Sequence, residues 1–97
     1  MPKVDVHIQI ELADGVPADV KQYAQAKITG VLRFAPRRVL SATLRLAPTG
    51  PHHHPDIAAH LTLDVNGIPI NLTAVGTTAH EAVDLLQAKV HTRLDRM

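Results

Sequence analysis

Residues 59–74 read AHLTLDVNGIPINLTA, with Asn66-Gly67 at the centre of an alternation of apolar and polar side chains. Asn-Gly is the strongest two-residue signal for a hairpin, because a type I′ turn needs a positive φ at both central positions. The turn pairs Val65 with Ile68, and every second pair outward is then apolar on both strands. A slip of one residue would mix the two faces, so the sequence predicts this register.

Two other segments alternate in the same way and predict half-buried strands at residues 4–11 and 39–46. Pro69 lies in the second strand of the hairpin and has no backbone N–H. In the predicted register its nitrogen points away from the partner strand, so we expect that strand to form an edge of the sheet.

Apolar residues at helical spacing predict two helices. The first has Pro17 in its opening turn and Asp19 near its N-terminus, and Pro36 ends it near Phe34. Thr78, followed three residues later by Glu81, forms a capping box that opens the second helix.

The resulting order is strand, helix, strand, strand, strand, helix. A strand–helix–strand unit favours a parallel, right-handed crossover, and the remaining strands form an antiparallel meander. We therefore predict an α+β fold with a four-stranded mixed sheet and both helices on one face, similar to a double-stranded-RNA-binding domain. The 97 residues leave room for a single domain, residues 1–97.

Composition excludes several classes of function. The chain has no cysteine, which excludes disulfides, thiolate zinc sites and cysteine nucleophiles. One Phe, one Tyr and no Trp argue against an aromatic platform for single-stranded bases. No apolar run is long enough to span a membrane and the N-terminus lacks an apolar signal region, so we expect a cytoplasmic protein.

Charge is unevenly distributed along the chain. The net charge is +1, yet residues 20–55 contain no acid and six Lys or Arg. A local excess of this kind is typical of a binding surface for an anionic partner, although a solvated basic surface is the alternative interpretation.

The motifs for catalysis and cofactors are missing or incomplete. His52-His53-His54 could catch a metal or add pH-dependent charge, but the flanking prolines favour an exposed loop over a converging zinc site. Ser41, the only serine, has no nucleophile motif around it, and no phosphate-binding or dinucleotide motif is present. We therefore expect neither an enzyme, nor a cofactor, nor a metal site.

Three stretches together resemble the N-terminal domain of the ribosome hibernation promoting factors, also called ribosome-associated inhibitors or the sigma-54 modulation family. They are residues 19–28, with an aromatic followed four residues later by a Lys; the hairpin at 64–67; and residues 76–90. The resemblance implies binding to the small ribosomal subunit near the decoding centre and mRNA channel. It also implies inhibition of translation and stabilisation of inactive ribosomes under stress.

The sequence departs from the family pattern at several positions. Thr78 stands where the family usually has Asp, His80 replaces a Tyr, and the lysine-rich end of the last helix is reduced to Arg93, Asp95 and Arg96. A Gly-Arg pair after the first strand is also missing. These differences suit a divergent branch, such as an actinobacterial one. Longer members carry a C-terminal dimerisation domain that this sequence lacks, so we expect either a short form or a piece of a longer protein.

The resemblance implies contact with rRNA phosphates. Lys27 and Lys89 match Lys positions of the family, whereas the other candidates follow from charge clustering. The predicted rRNA-binding residues are Lys21, Lys27, Arg33, Arg37, Arg38, Lys89, Arg93 and Arg96.

A protein-interaction module is the alternative function. In that interpretation the chain forms a homodimer through the edge strand that contains Pro69 or through the open sheet face, where Ala58 and Val75 are apolar. Sedimentation with small subunits separates the two hypotheses, because a ribosome-binding protein should be released at high salt.

Overall fold

The computed structural model describes residues 7–50 and 56–97, so the first part of the predicted N-terminal strand and the His52–His54 loop lie outside the described residues. The elements follow the predicted order. They are β1 (Ile8–Leu12), α1 (Val20–Leu32), β2 (Val39–Thr49), β3 (Asp56–Val65), β4 (Ile68–Gly76) and α2 (Ala79–Asp95).

The four strands form one sheet in the order β1-β2-β3-β4. β1 is parallel to β2, and the other two pairings are antiparallel. This arrangement confirms the predicted α+β fold with a mixed sheet. It also confirms that β4 is an edge strand, which suits Pro69 within it.

The β3–β4 hairpin has the predicted register, with Val65 opposite Ile68. Asn66 and Gly67 both have positive φ, 53° and 89°, as a type I′ turn requires. The Asp64 carboxylate accepts a hydrogen bond from the Gly67 N–H at 2.7 Å and closes the turn.

A single hydrophobic core lies between the sheet and the two helices. The inward side chains of the central strands are almost fully buried, and the helices cover them with a stripe of Ala, Val, Ile and Leu. Fully buried members include Leu44, Leu46, Leu61 and Leu63 of the sheet, Ala24 and Ile28 of α1, and Val83, Leu86 and Val90 of α2.

The other face of the sheet is open and mostly uncharged. Gln9, Thr43, Thr62 and Asn71 lie side by side across the four strands. The Thr62 hydroxyl donates to the Asn71 Oδ1 at 3.1 Å. This polar face matches the prediction that both helices pack on the opposite side.

The helix boundaries differ slightly from the prediction. α1 begins at Val20, so Pro17 lies before the helix and its carbonyl accepts from the Val20 N–H at 3.3 Å. Asp19 occupies the N-cap position, but within the described residues its side chain makes no capping hydrogen bond. α1 ends at Leu32, and the Phe34 N–H bonds the Val31 carbonyl in a last, tighter turn.

The start of α2 confirms the capping box. The Glu81 N–H donates to the Thr78 Oγ1 at 3.1 Å. The Glu81 carboxylate reaches one residue further back than in the usual motif, and accepts from the Thr77 N–H at 3.0 Å. These two hydrogen bonds therefore hold the connection between β4 and α2 in place, one through the backbone of Thr77 and the other through the side chain of Thr78.

Two glycine substitutions should have opposite effects on stability. A Cβ at Gly76 would lie 2.6 Å from the Ala82 backbone nitrogen, so Gly76→Ala should lower the free energy of unfolding by about 1–3 kcal/mol. A Cβ at Gly30, inside α1, would meet nothing within 4 Å, so Gly30→Ala should raise it by about 0.5–1 kcal/mol. Urea unfolding measures both, and equal effects of the two variants would contradict the close β4–α2 junction.

Candidate nucleic-acid interface

Three of the predicted arginines line one shallow depression at the C-terminal end of α2. Arg93 and Arg96 come from the end of α2, and Arg37 comes from the segment between α1 and β2. Ile68 and Met97, both partly exposed, complete the rim. We call Arg37, Arg93 and Arg96 the arginine cluster.

A second depression continues from the arginine cluster along α2 towards β4. Lys89 and Thr92 line it together with Arg93 and Arg96. The Lys89 Nζ donates to the Thr73 carbonyl oxygen of the edge strand at 2.7 Å. An ammonium group has three N–H donors, so Lys89 keeps donors for a ligand while it is held against β4.

Helix geometry explains why these residues share a surface. Lys89, Arg93 and Arg96 are spaced by four and three residues, which places them on neighbouring turns of one flank of α2. Cations also suit the carbonyl end of a helix, because the backbone dipole is negative there. Arg37 joins them only through the tertiary fold.

A network of polar and aromatic side chains connects the two helices at their other end. The Tyr23 hydroxyl of α1 donates to the Asp84 Oδ1 of α2 at 2.5 Å. The Lys27 Nζ lies 3.9 Å from the same oxygen and 5.5 Å from the Tyr23 ring centroid. The His80 ring is tilted against the Tyr23 ring, with centroids 4.6 Å apart.

Lys27, which is predicted to contact rRNA, takes part in this network. Its side chain is 39% exposed and its charge is partly balanced by the Asp84 carboxylate. The pattern of an aromatic residue followed four residues later by Lys therefore has a local structural explanation, since both side chains meet Asp84. Sequence reasoning did not assign a role to Asp84, although it lies in one of the three stretches that carry the resemblance.

The hydrogen bond to Asp84 raises the pKa of Tyr23 above its ordinary value of 10.0. Burial and the negative charge of Asp84 add to the increase in pKa. All three causes favour the neutral phenol over the phenolate.

The remaining predicted residues do not line the depression of the arginine cluster. Lys21 is exposed at the start of α1, and Arg33 lines a separate groove on α1 with Gln22 and Gln25. Arg38 is exposed, and its carbonyl accepts from the Asn66 N–H at 2.8 Å. The acid-free interval therefore does not form one surface. Its sixth base, Arg45, pairs in register with Glu11 and His60 on the open sheet face.

A groove between the two helices holds the only Phe of the chain. Phe34 is 65% exposed, and its ring meets the His91 ring edge to face at a centroid distance of 5.2 Å. Asp84, Gln87 and Thr92 supply polar groups to the same groove. Sequence patterns gave no reason to expect an exposed Phe here, because Phe34 follows directly on an apolar helical stripe.

The fold is similar to that of two solved structures. A ribosomal subunit interface protein from Coxiella burnetii matches with a TM-score of 0.72 and 19% identity, over 93% of this chain and 94% of that chain. The Protein Y N-terminal domain of Thermus thermophilus matches with a TM-score of 0.72 and 14% identity, over 98% of each chain. At these identities the similarity establishes a shared fold.

No protein-family model and no curated protein matches the sequence. Among the described residues, no helix combines the length and apolar character that a membrane span requires.

The Asp84→Asn variant should lower the pKa of Tyr23 towards its ordinary value, because the acceptor loses its charge. A group with a raised pKa in the folded state stabilises the fold below its unfolded pKa and loses this effect as pH rises through the folded pKa. The wild type should therefore lose stability above about pH 10, and the variant should lose less. Absorbance of the single tyrosine during alkaline titration gives the pKa, and an unchanged value in the variant would contradict the contact.

Proposed function

We propose that the chain is a non-enzymatic ribosome-binding factor related to the hibernation promoting factors. Its partner would be the small ribosomal subunit, bound near the decoding centre and mRNA channel through rRNA phosphates. Binding there would inhibit translation and stabilise inactive ribosomes under stress, in the cytoplasm. The clustering of Arg37, Arg93 and Arg96 at one end of α2 is the observation that carries the proposal.

The arginine cluster has the chemistry that phosphate recognition requires. A guanidinium group presents several N–H donors in a planar fork and matches two phosphate oxygens at once. Arg37, Arg93 and Arg96 are all exposed, so a phosphate can approach without displacing a packed side chain. Lys89 extends the positive surface along α2 towards β4.

The shared fold supports the same partner. One of the similar structures described above is a ribosomal subunit interface protein. A factor that blocks an RNA-lined channel needs a stable shape and phosphate contacts, because structured RNA is recognised mostly by shape and backbone. The four-stranded sheet and the capped α2 supply that shape.

A homodimer through the sheet is the second candidate function. Val75 is 49% exposed and lies beside Ala58 on the open face, which favours it. The edge of β4 is poorly suited to pair with another strand, because Pro69 lacks an N–H and Lys89 occupies the Thr73 carbonyl. A stable dimer without any affinity for small subunits would establish this candidate instead.

Neutralising the arginine cluster should weaken binding to purified small subunits and flatten its salt dependence. In the triple variant Arg37→Gln, Arg93→Gln and Arg96→Gln, each lost phosphate contact should reduce the slope of log K against log salt by about 0.7–0.9. Binding is measured by sedimentation with small subunits over a series of potassium chloride concentrations.

Arg45→Gln is a matched control, because it removes one positive charge from the opposite face of the sheet. It should leave the salt slope unchanged. An equal loss per charge in the control and the triple variant would show that net charge alone drives binding and would contradict the proposed surface. Urea unfolding of each variant verifies that it is folded.

A further inference from the structure

The exposed Phe34 is unusual in a chain whose other large apolar side chains mostly fill the core. It is 65% exposed, more than any other large apolar residue in the described part of the chain. Its ring contacts the His91 ring of α2 edge to face. The exposed part of an aromatic ring is a stacking surface for another flat ring.

The rim of this groove carries groups that suit the edge of a nucleobase. Gln87 offers both amide donors and an acceptor, Thr92 offers a hydroxyl, and Asp84 offers a carboxylate. The Tyr23 and Lys27 contacts both use the Asp84 Oδ1. The carboxylate disfavours a phosphate inside the groove but accepts hydrogen bonds from base N–H groups.

The groove and the proposed RNA surface lie on two flanks of α2 and meet at its exposed outer face. Thr92, on that outer face, lines both the Phe34 groove and the depression that contains Lys89, and Arg93 and Arg96 connect that depression to the arginine cluster. An RNA strand that crosses the outer face of α2 can therefore place phosphates on the arginine cluster and a nearby base against Phe34.

We propose that the Phe34 groove binds one unpaired nucleobase of an RNA partner, stacked on Phe34 and hydrogen-bonded by Gln87 and Thr92. The identity of the partner as RNA rests on the proposed function. The composition indicated binding through shape and phosphates alone, and the proposed site adds one base contact. A single exposed aromatic ring is enough for one stacked base.

Stacking and phosphate contact differ in their salt dependence, and this difference tests the proposal. Phe34→Ala should weaken binding to small subunits by about 5- to 150-fold, the range that one stacked base supplies. The slope of log K against log salt should stay unchanged, because no phosphate contact is lost. Phe34→Tyr should retain most of the affinity, since the ring is kept.

Val75→Ala is the matched control, because it shortens an exposed apolar side chain on the opposite face of the sheet. It should leave the affinity for small subunits unchanged. Wild-type affinity in Phe34→Ala, or an equal loss in the control, would overturn the proposal. Sedimentation equilibrium of the free protein is measured in parallel, and a dimer that Phe34→Ala dissociates would assign the groove to protein contact and likewise overturn it.

A direct test uses the single Phe as a spectroscopic probe. The aromatic NMR signals of Phe34 are followed during titration with oligoadenylate and with an abasic ribose-phosphate chain of the same length. Stacking predicts ring-current shifts with oligoadenylate only, and equal shifts with both would overturn the proposal. If oligoadenylate shifts Phe34 but the wild type does not bind small subunits, the base site stands and the ribosomal function is wrong.

Discussion

The hydrophobic core and the placement of α2 both rest on the pairing of β3 with β4 across Asn66-Gly67. Positive φ at both residues fixes a two-residue turn, and that turn fixes which side chains of both strands face the helices. Because β2 also holds β3, a shift of one residue would turn over β4, which would expose its buried side chains and place polar ones against α2. The register set by this turn therefore determines the hydrophobic core and the position of α2.

The position of α2 in turn brings the residues of the candidate site together. Gly76 lets the end of β4 pass within contact of the Ala82 backbone, and the Thr78–Glu81 box starts the helix at that point. The C-terminal half of α2 then lies between the edge strand and the exit of α1. Arg93 and Arg96 meet Arg37 on one side, and His91 meets Phe34 on the other. The side chains that we propose to bind phosphate and to stack on a base thus depend on one packed helix.

The fold was largely predictable because its signals are local: alternation, the Asn-Gly turn and the capping box each act within a few residues. The start of α1 differs from the prediction because Pro17 takes part in a preceding turn rather than in the helix. The site was less predictable, because it depends on contacts distant in sequence. Helical spacing grouped Arg93 with Arg96, but neither the joining of Arg37 nor the Tyr23–Asp84 bond has a local signal.

We propose that the α2 side of the domain, and not the open sheet face, contacts rRNA. Cryo-electron microscopy of the chain bound to purified small subunits distinguishes the two faces. We expect density for the domain in the mRNA channel, with Arg37, Arg93 and Arg96 within hydrogen-bond distance of phosphates and Phe34 against an unpaired base. A domain bound through Thr43, Thr62 and Asn71, with the end of α2 facing solvent, would contradict it.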